Sequence, residues 1–245
     1  MQVFLREPGA NAEDEDVLRA RTELWKRDCC GDDAGTEKMG MTEKEYVLLD
    51  RDGVINRRMP GGYVTSWKQF EFLPRVLEAL RLLADRGYAA IVLSNQGCVG
   101  EGLLSSKDLD AMTHRFQLEV ALSGGNIAQV YYCRHSAEDE CGCRKPKPGL
   151  LRRAYLEHRF ATERTFFVGD SPGDCRAAED AGCRTILIQR MSFLEERRAH
   201  EESPIVACNL YEAVEFILAA DRALPREAAM VMQQKLQQGL QQRQI

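Results

Sequence analysis

Four short stretches carry the groups that could do chemistry. EYVLLD (45–50) ends in Asp50, with Asp52 two residues on; YAAIVLSN (88–95) ends in Ser94 and Asn95; TFFVGD (165–170) ends in Asp170, with Asp174 following. One aspartate after an apolar run is commonly a helix cap or a turn residue. Several brought to one edge repel each other unless a cation compensates them, and Mg²⁺ accepts a few carboxylates together with water and phosphate oxygens. The fourth stretch, Cys133-x-His135-x5-Cys141-x-Cys143, gathers three thiols and an imidazole within eleven residues and runs into Arg144, Lys145 and Pro146. Four ligands with no open position suit a tetrahedral structural Zn²⁺ and argue against zinc catalysis. Glu138, Asp139 and Glu140 between them are expected to be solvated rim charges. Ser94 could instead cap the turn after its strand, and Asp174 could be the N-cap of a helix over 175–181.

These groups meet only if their strands lie side by side. After EYVLLD, the segment 74–87 has apolar residues at 76, 77, 80, 83 and 84, with Pro at its start and Gly at its end, as a helix should. YAAIVLSN is a second strand, and 105–125 a second helix opened by Ser and closed by Gly. AQVYYC (128–133), the helix 148–160, TFFVGD, a short helix to Gly182 and CRTILIQ (183–189) continue the alternation, and PIVACN (204–209) with 210–220 reads as an edge strand and a last helix. The fold class is therefore α/β, a parallel sheet covered by helices on both faces, which binds its ligand at the carboxyl ends of the strands. Residues 1–43, with AEDED and DCCGDDAG and little periodicity, are expected to be a disordered extension holding at most one short helix over 15–27. Met41 is an alternative start. The Gln-rich tail 223–245 is read as a helical extension or disorder, and 44–222 as one domain.

The chain has 245 residues, of which 44% are apolar and 29% charged, with a net charge of -5. That composition is globular, and it lacks the basic stripe that marks a nucleic-acid partner. No apolar run approaches the roughly 18 residues of a membrane span, and the N-terminus lacks the order of a secretory signal. A cytoplasmic monomer with a small-molecule partner is expected. Nine cysteines are an odd number, and in a reducing compartment clustered Cys and His more often bind metal than form disulfides. Cys98, Cys175, Cys183 and Cys208 read as small buried or incidental residues.

DRDGV at 50–54, Ser94 at a strand end, Lys145 and GDSPGD at 169–174 resemble, in order, the four motifs of the haloacid dehalogenase (HAD) superfamily of phosphotransferases. The resemblance spans roughly 45–220 and implies a Rossmann-like HAD fold. It implies that Asp50 attacks phosphorus and forms an aspartyl-phosphate, splitting one difficult hydrolysis into two easier steps. Asp52 would protonate the leaving oxygen and later deprotonate water, which requires a raised pKa or a proton-friendly position. Arg51 would point elsewhere, because neighbouring side chains diverge. Mg²⁺ would be held by Asp50, Asp170 and the Asp52 carbonyl, while Ser94, Asn95 and Lys145 hold the transferring phosphoryl group. Asp174 would orient Lys145 or a metal-bound water.

DRDGVIN together with C-x-H…C-x-C-RKPKPG is similar, more narrowly, to the D-glycero-D-manno-heptose-1,7-bisphosphate 7-phosphatases and the related histidinol-phosphate phosphatases. Both imply a zinc-bound loop and a minimal cap. Arg144 would then reach the rest of the substrate, with Asn56 and the Gly97–Gly102 loop lining it. The chain departs from the heptose pattern at Glu101, where that pattern has Arg, and at Ser171, where Lys is frequent. Glu101 would weaken attraction to a second phosphate, or else it faces solvent. A heptose bisphosphate is the expected substrate; histidinol phosphate or a broader set of sugar phosphates is the alternative. A non-catalytic zinc-clipped scaffold is the alternative of another class.

Overall fold

The computed structural model describes residues 44–188 and 205–222. The expectations for 1–43, Met41 among them, and for the tail 223–245 fall outside these residues. Six strands form one sheet: β1 (Glu45–Leu49), β2 (Tyr88–Asn95), β3 (Ile127–Cys133), β4 (Phe166–Gly169), β5 (Arg184–Ile188) and β6 (Ile205–Ala207). Their order is β3-β2-β1-β4-β5-β6, and every pairing is parallel. The chain thus runs outward from β1 to one edge, then returns to the other side of β1 and runs outward again. The switch lies between β1 and β4, where a parallel sheet opens its crevice. Leu49 pairs with Val168 there, so the residues following each strand emerge together.

Alternation within the strands sends apolar side chains to both faces. Val47, Leu49, Ala90 and Val92 join one core, covered by α1 (Val76–Ala84), α2 (Ser106–Leu122) and α5 (Leu210–Arg222). Leu48, Ile91 and Leu93 join the other, covered by α3 (Gly149–His158) and α4 (Pro172–Asp180). Buried on both sides, the strands read as unbroken apolar runs. α1 starts at Val76 because Arg75 before it adopts a left-handed conformation. α4 starts three residues before the expected 175. Pro172 presets its first turn, and Ser171 rather than Asp174 is the N-cap, with Asp174 reaching back in a capping box.

Between β1 and α1 lies only a flap, with a single 3-10 turn at Trp67–Gln69. Phe70 stacks on Phe116 of α2 at 5.7 Å, and Trp67 stacks on Phe70 at 5.0 Å. This aromatic anchor holds the flap over the carboxyl ends of the strands. Among the described residues no helix is long and apolar enough to cross a membrane.

Candidate active site

β1 and β4 deliver Asp50 and Asp170 to one edge, and the N-terminus of α4 adds Asp174. Oxygens of these three carboxylates lie within 4.8 Å of one another. Their compensating charge is Lys145, whose Nζ lies 2.9 Å from Asp50 Oδ1 and 2.6 Å from Asp174 Oδ1 and donates to the Leu93 carbonyl at 2.7 Å. Burial works against the Lys145 ammonium, yet the charges of Asp50 and Asp174 outweigh it and raise its pKa. Asp174 takes the ammonium on Oδ1, while Oδ2 accepts from the Asp170 and Ser171 amides and the Ser171 hydroxyl. Asp50 behaves differently: burial raises its pKa, and Asp174 and Asp52 add to that against the opposing Lys145. Asp170 is pushed up to about 7 by burial and then by the Asp50 charge. Gly53 allows this crowding, since at φ 95° a Cβ there would stand 1.8 Å from Asp170 Oδ2. Hard carboxylate oxygens this close, with the proton affinity of Asp50 and Asp170 raised by burial and then by neighbouring carboxylates, fit a Mg²⁺ ion.

Asp52 turns away from that cluster. Arg51 Nη2 lies 2.9 Å from each of its oxygens, Asn56 donates to Oδ1 at 2.8 Å and Gln96 to Oδ2 at 2.6 Å. Burial raises its pKa, but the Arg51 charge and these hydrogen bonds win and leave it below the ordinary carboxylate value. The structure corrects two expectations here. Arg51 does not point elsewhere: it is fully buried between Phe70 and Tyr132 and folds back onto its neighbour. Asn56 does not line the substrate cavity, because it is fully buried and spends its amide on Asp52 and the Arg57 carbonyl. The Asp52 side chain is likewise not among the three clustered carboxylates, which leaves only its carbonyl for a metal. Gln96, missed in the sequence although it follows Ser94-Asn95, ties Asp52 to Ser94 through a 3.2 Å bond to the Ser94 hydroxyl.

Asn95 donates to the Lys145 carbonyl and accepts from the Lys145 amide, both at 3.0 Å, so it fixes the lysine backbone across a 50-residue separation. An open cavity of about 560 Å³ lies above, with Asp50, Asp52, Ser94, Asn95 and Lys145 in its wall. Arg58, Tyr63, Glu101 and Arg144 line its outer part. Arg58 and Tyr63 come from the flap, which the sequence motifs did not connect to the site, and Glu101 from the Gly97–Gly102 loop expected to line the substrate. Tyr63 donates to Glu101 at 2.6 Å, and Arg58 pairs with Asp170 at 2.9 Å.

The thiols and imidazole gather at the end of β3. Cys133 and Cys141 sulfurs are 3.5 Å apart, as are those of Cys141 and Cys143, and His135 Nδ1 lies 3.2 Å from Cys143 and 3.8 Å from Cys133. Tetrahedral Zn²⁺ with bonds of about 2.0–2.3 Å separates its ligands by about 3.5–3.8 Å. The four could hold a metal ion with Nδ1 as the nitrogen donor. Asp139, exposed with Glu138 and Glu140, also accepts from the Ser136 amide at 2.7 Å. The clip abuts the active-site wall: a Cβ on Gly100 would be 2.4 Å from the Ser136 nitrogen, and Arg144 Nη1 donates to the His135 carbonyl at 3.3 Å. Of the remaining thiols, Cys98 and Cys183 are buried and Cys175 and Cys208 partly so.

The HAD-hydrolase-like family model matches residues 142–213. A D-glycero-beta-D-manno-heptose-1,7-bisphosphate 7-phosphatase of Helicobacter pylori J99 is 33% identical over 72% of this chain and 99% of its own length. The chain belongs to the HAD phosphatase family. This HAD phosphatase also matches the corresponding Pseudomonas aeruginosa protein at 35% identity, over 60% of this chain and 82% of that one. A crystal structure of the D,D-heptose 1,7-bisphosphate phosphatase of B. bronchiseptica, complexed with magnesium and phosphate, aligns with a TM-score of 0.68 at 29% identity. The alignment covers 73% of this chain and 99% of that one.

Proposed function

We propose that this HAD phosphatase removes the 7-phosphate of D-glycero-D-manno-heptose 1,7-bisphosphate in a Mg²⁺-dependent reaction through an aspartyl-phosphate on Asp50. The observation that carries this reading is the Asp50–Lys145–Asp174 chain, with ion pairs of 2.9 and 2.6 Å, set beside Asp170 at the sheet's switch point. Asp50 attacks phosphorus as the bond to the leaving sugar oxygen breaks, and water then attacks the phosphorus of the acyl phosphate, which restores Asp50 and releases phosphate. Lys145 and Ser94 hold the transferring oxygens, and Asp174 and Asn95 fix the lysine at each end. Mg²⁺ held by Asp50, Asp170 and the Asp52 carbonyl would supply the charge that offsets negative charge on the phosphoryl oxygens.

Asp52 gives a proton to the leaving oxygen and takes one from water in the second half. Its grip by Arg51, Asn56 and Gln96 keeps the resting carboxylate ionised, the form the second half needs. The entering phosphate dianion acts in the opposite sense and raises its proton affinity. Zn²⁺ in Cys133, His135, Cys141 and Cys143 would fix the loop that aims Arg144 at the substrate.

Phosphate release from heptose 1,7-bisphosphate, histidinol phosphate and short sugar phosphates tests the reading. The expected kcat/KM is at least about ten-fold higher for the heptose bisphosphate than for histidinol phosphate, and the reverse preference would refute it. Glu101, bonded to Tyr63 in the cavity wall, favours a second reading: a phosphatase for hydroxyl-rich monophosphates.

A further inference from the structure

Three cations line the cavity: Arg58, Arg144 and Lys145. They are not equally committed. Lys145 is locked between Asp50 and Asp174 beneath the reacting position. Arg144 is braced on the His135 carbonyl. Arg58 alone of the three holds Asp170, the carboxylate that a divalent ion would also need. The pair joins an arm 54% exposed to a carboxylate only 14% exposed, across 112 residues of sequence. The preceding Arg57 shows the contrast, since it is fixed at 2.8 and 2.9 Å on Glu71.

A guanidinium and a divalent cation compete for one carboxylate, and the ion brings twice the charge to oxygens already crowded within 4.8 Å. The displaced arginine would stay in the outer cavity, tethered to the flap, with its planar fork free. That fork matches phosphate bidentately, which an ammonium does not.

From this geometry we infer that Arg58 is a metal-released arm: it pairs with Asp170 until a divalent cation takes that carboxylate, then binds the anionic end of the substrate remote from the reacting phosphate. The inference deepens the proposed function and rests on it for its second half. Metal loading and recognition of a doubly phosphorylated substrate become coupled, because one side chain cannot serve both partners at once.

The test has two independent arms on the full-length protein. In the first, calorimetric titration with MgCl₂ alone at about pH 8 keeps proton competition at Asp170 low. Arg58→Gln is expected to bind Mg²⁺ about two- to five-fold more tightly than wild type, the range of a partly exposed ion pair. Arg57→Gln, the control for net charge, is expected to match wild type. Unchanged or weaker Mg²⁺ binding in Arg58→Gln, or equal tightening in both variants, overturns the competition.

The second arm compares KM for a sugar bisphosphate with KM for the matching monophosphate at saturating Mg²⁺. Arg58→Gln is expected to raise the ratio about ten-fold, with partial recovery in Arg58→Lys. A ratio equal to wild type overturns the substrate contact. If wild type hydrolyses neither ester, the proposed function fails, while the MgCl₂ titration still decides whether Arg58 competes at Asp170.

Discussion

The chain carries two clusters of metal-binding groups, and they are built on opposite plans. The carboxylate cluster brings its own cation: Asp50, Asp174 and Lys145 are all buried, and the lysine bridges the two acids. The Cys/His clip has no such partner, and His135 is exposed while Cys141 and Cys143 are only partly covered. Burial and then the neighbouring thiols push Cys143 up to about 12, while at Cys141 burial is outweighed by hydrogen bonds from Cys143 and the backbone, which bring it down to about 7. The first cluster therefore holds its shape through internal ion pairs, with or without a metal. The second is expected to need a bound ion to keep its shape. Loss of function should look different in the two places.

The largest effect is expected at the first. Asp50→Asn removes the proposed nucleophile and should lower kcat by at least about 10³-fold on any phosphomonoester. The fold should survive, because the amide oxygen can still accept from Lys145. A turnover assay giving the wild-type rate would remove Asp50 from the mechanism.

In the clip the effects should exchange places. Elemental analysis of wild type is expected to give about one zinc ion per chain, and Cys141→Ser with Cys143→Ser should abolish it. The same double change should lower Tm by about 5–10 °C. Activity should fall less steeply than in Asp50→Asn, mainly through a higher KM, because the clip aims Arg144 through the 3.3 Å bond to His135. An unchanged melting curve would break the comparison, since the clip would then hold itself without an ion.

The difference between what the sequence disclosed and what it hid follows the same division. Strands buried on both faces must be apolar throughout, so a polar residue at their end stands out; Asp50, Ser94 and Asp170 were legible for that reason. The clip was legible because its ligands are close in the chain. Arg51 was misread by extending the side-to-side alternation of a strand beyond the strand's end. β1 stops at Leu49, and the chain turns through Gly53 into a bridge between Asp52 and Asn56, where alternation no longer applies. Asn56 was placed along the substrate by the resemblance alone, whereas the turn buries it completely. The Arg58–Asp170 pair spans 112 residues and leaves no local pattern.

Arg51 offers a sharper cut within the active site itself. Arg51→Met keeps the bulk between Phe70 and Tyr132 but removes the fork from Asp52. The expected fall in kcat is about 10–100-fold on alkyl phosphates, part of the about 10²–10⁴-fold that positioned proton transfer contributes. It should be smaller on p-nitrophenyl phosphate, whose leaving group needs little protonation. Arg51→Lys keeps charge without the fork and should recover only part of the loss. Equal losses on both esters would place the effect of Arg51 outside protonation of the leaving group.

The smallest effect is expected at Glu101, where the two halves of the comparison meet. Glu101 belongs to the loop whose Gly100 packs on the clip, yet its carboxylate lines the active-site cavity and accepts from Tyr63. Glu101→Gln keeps an oxygen for the Tyr63 hydroxyl and removes one negative charge beside the path of a second phosphate. The residue is exposed, so solvent and salt screen it, and kcat/KM for a bisphosphate relative to its monophosphate should rise only about two- to five-fold. The gain should shrink as ionic strength increases, because it is a charge effect. A ratio that does not move at low salt would mean that the Glu101 charge has no part in substrate choice, and the reading as a phosphatase for monophosphates would lose its support.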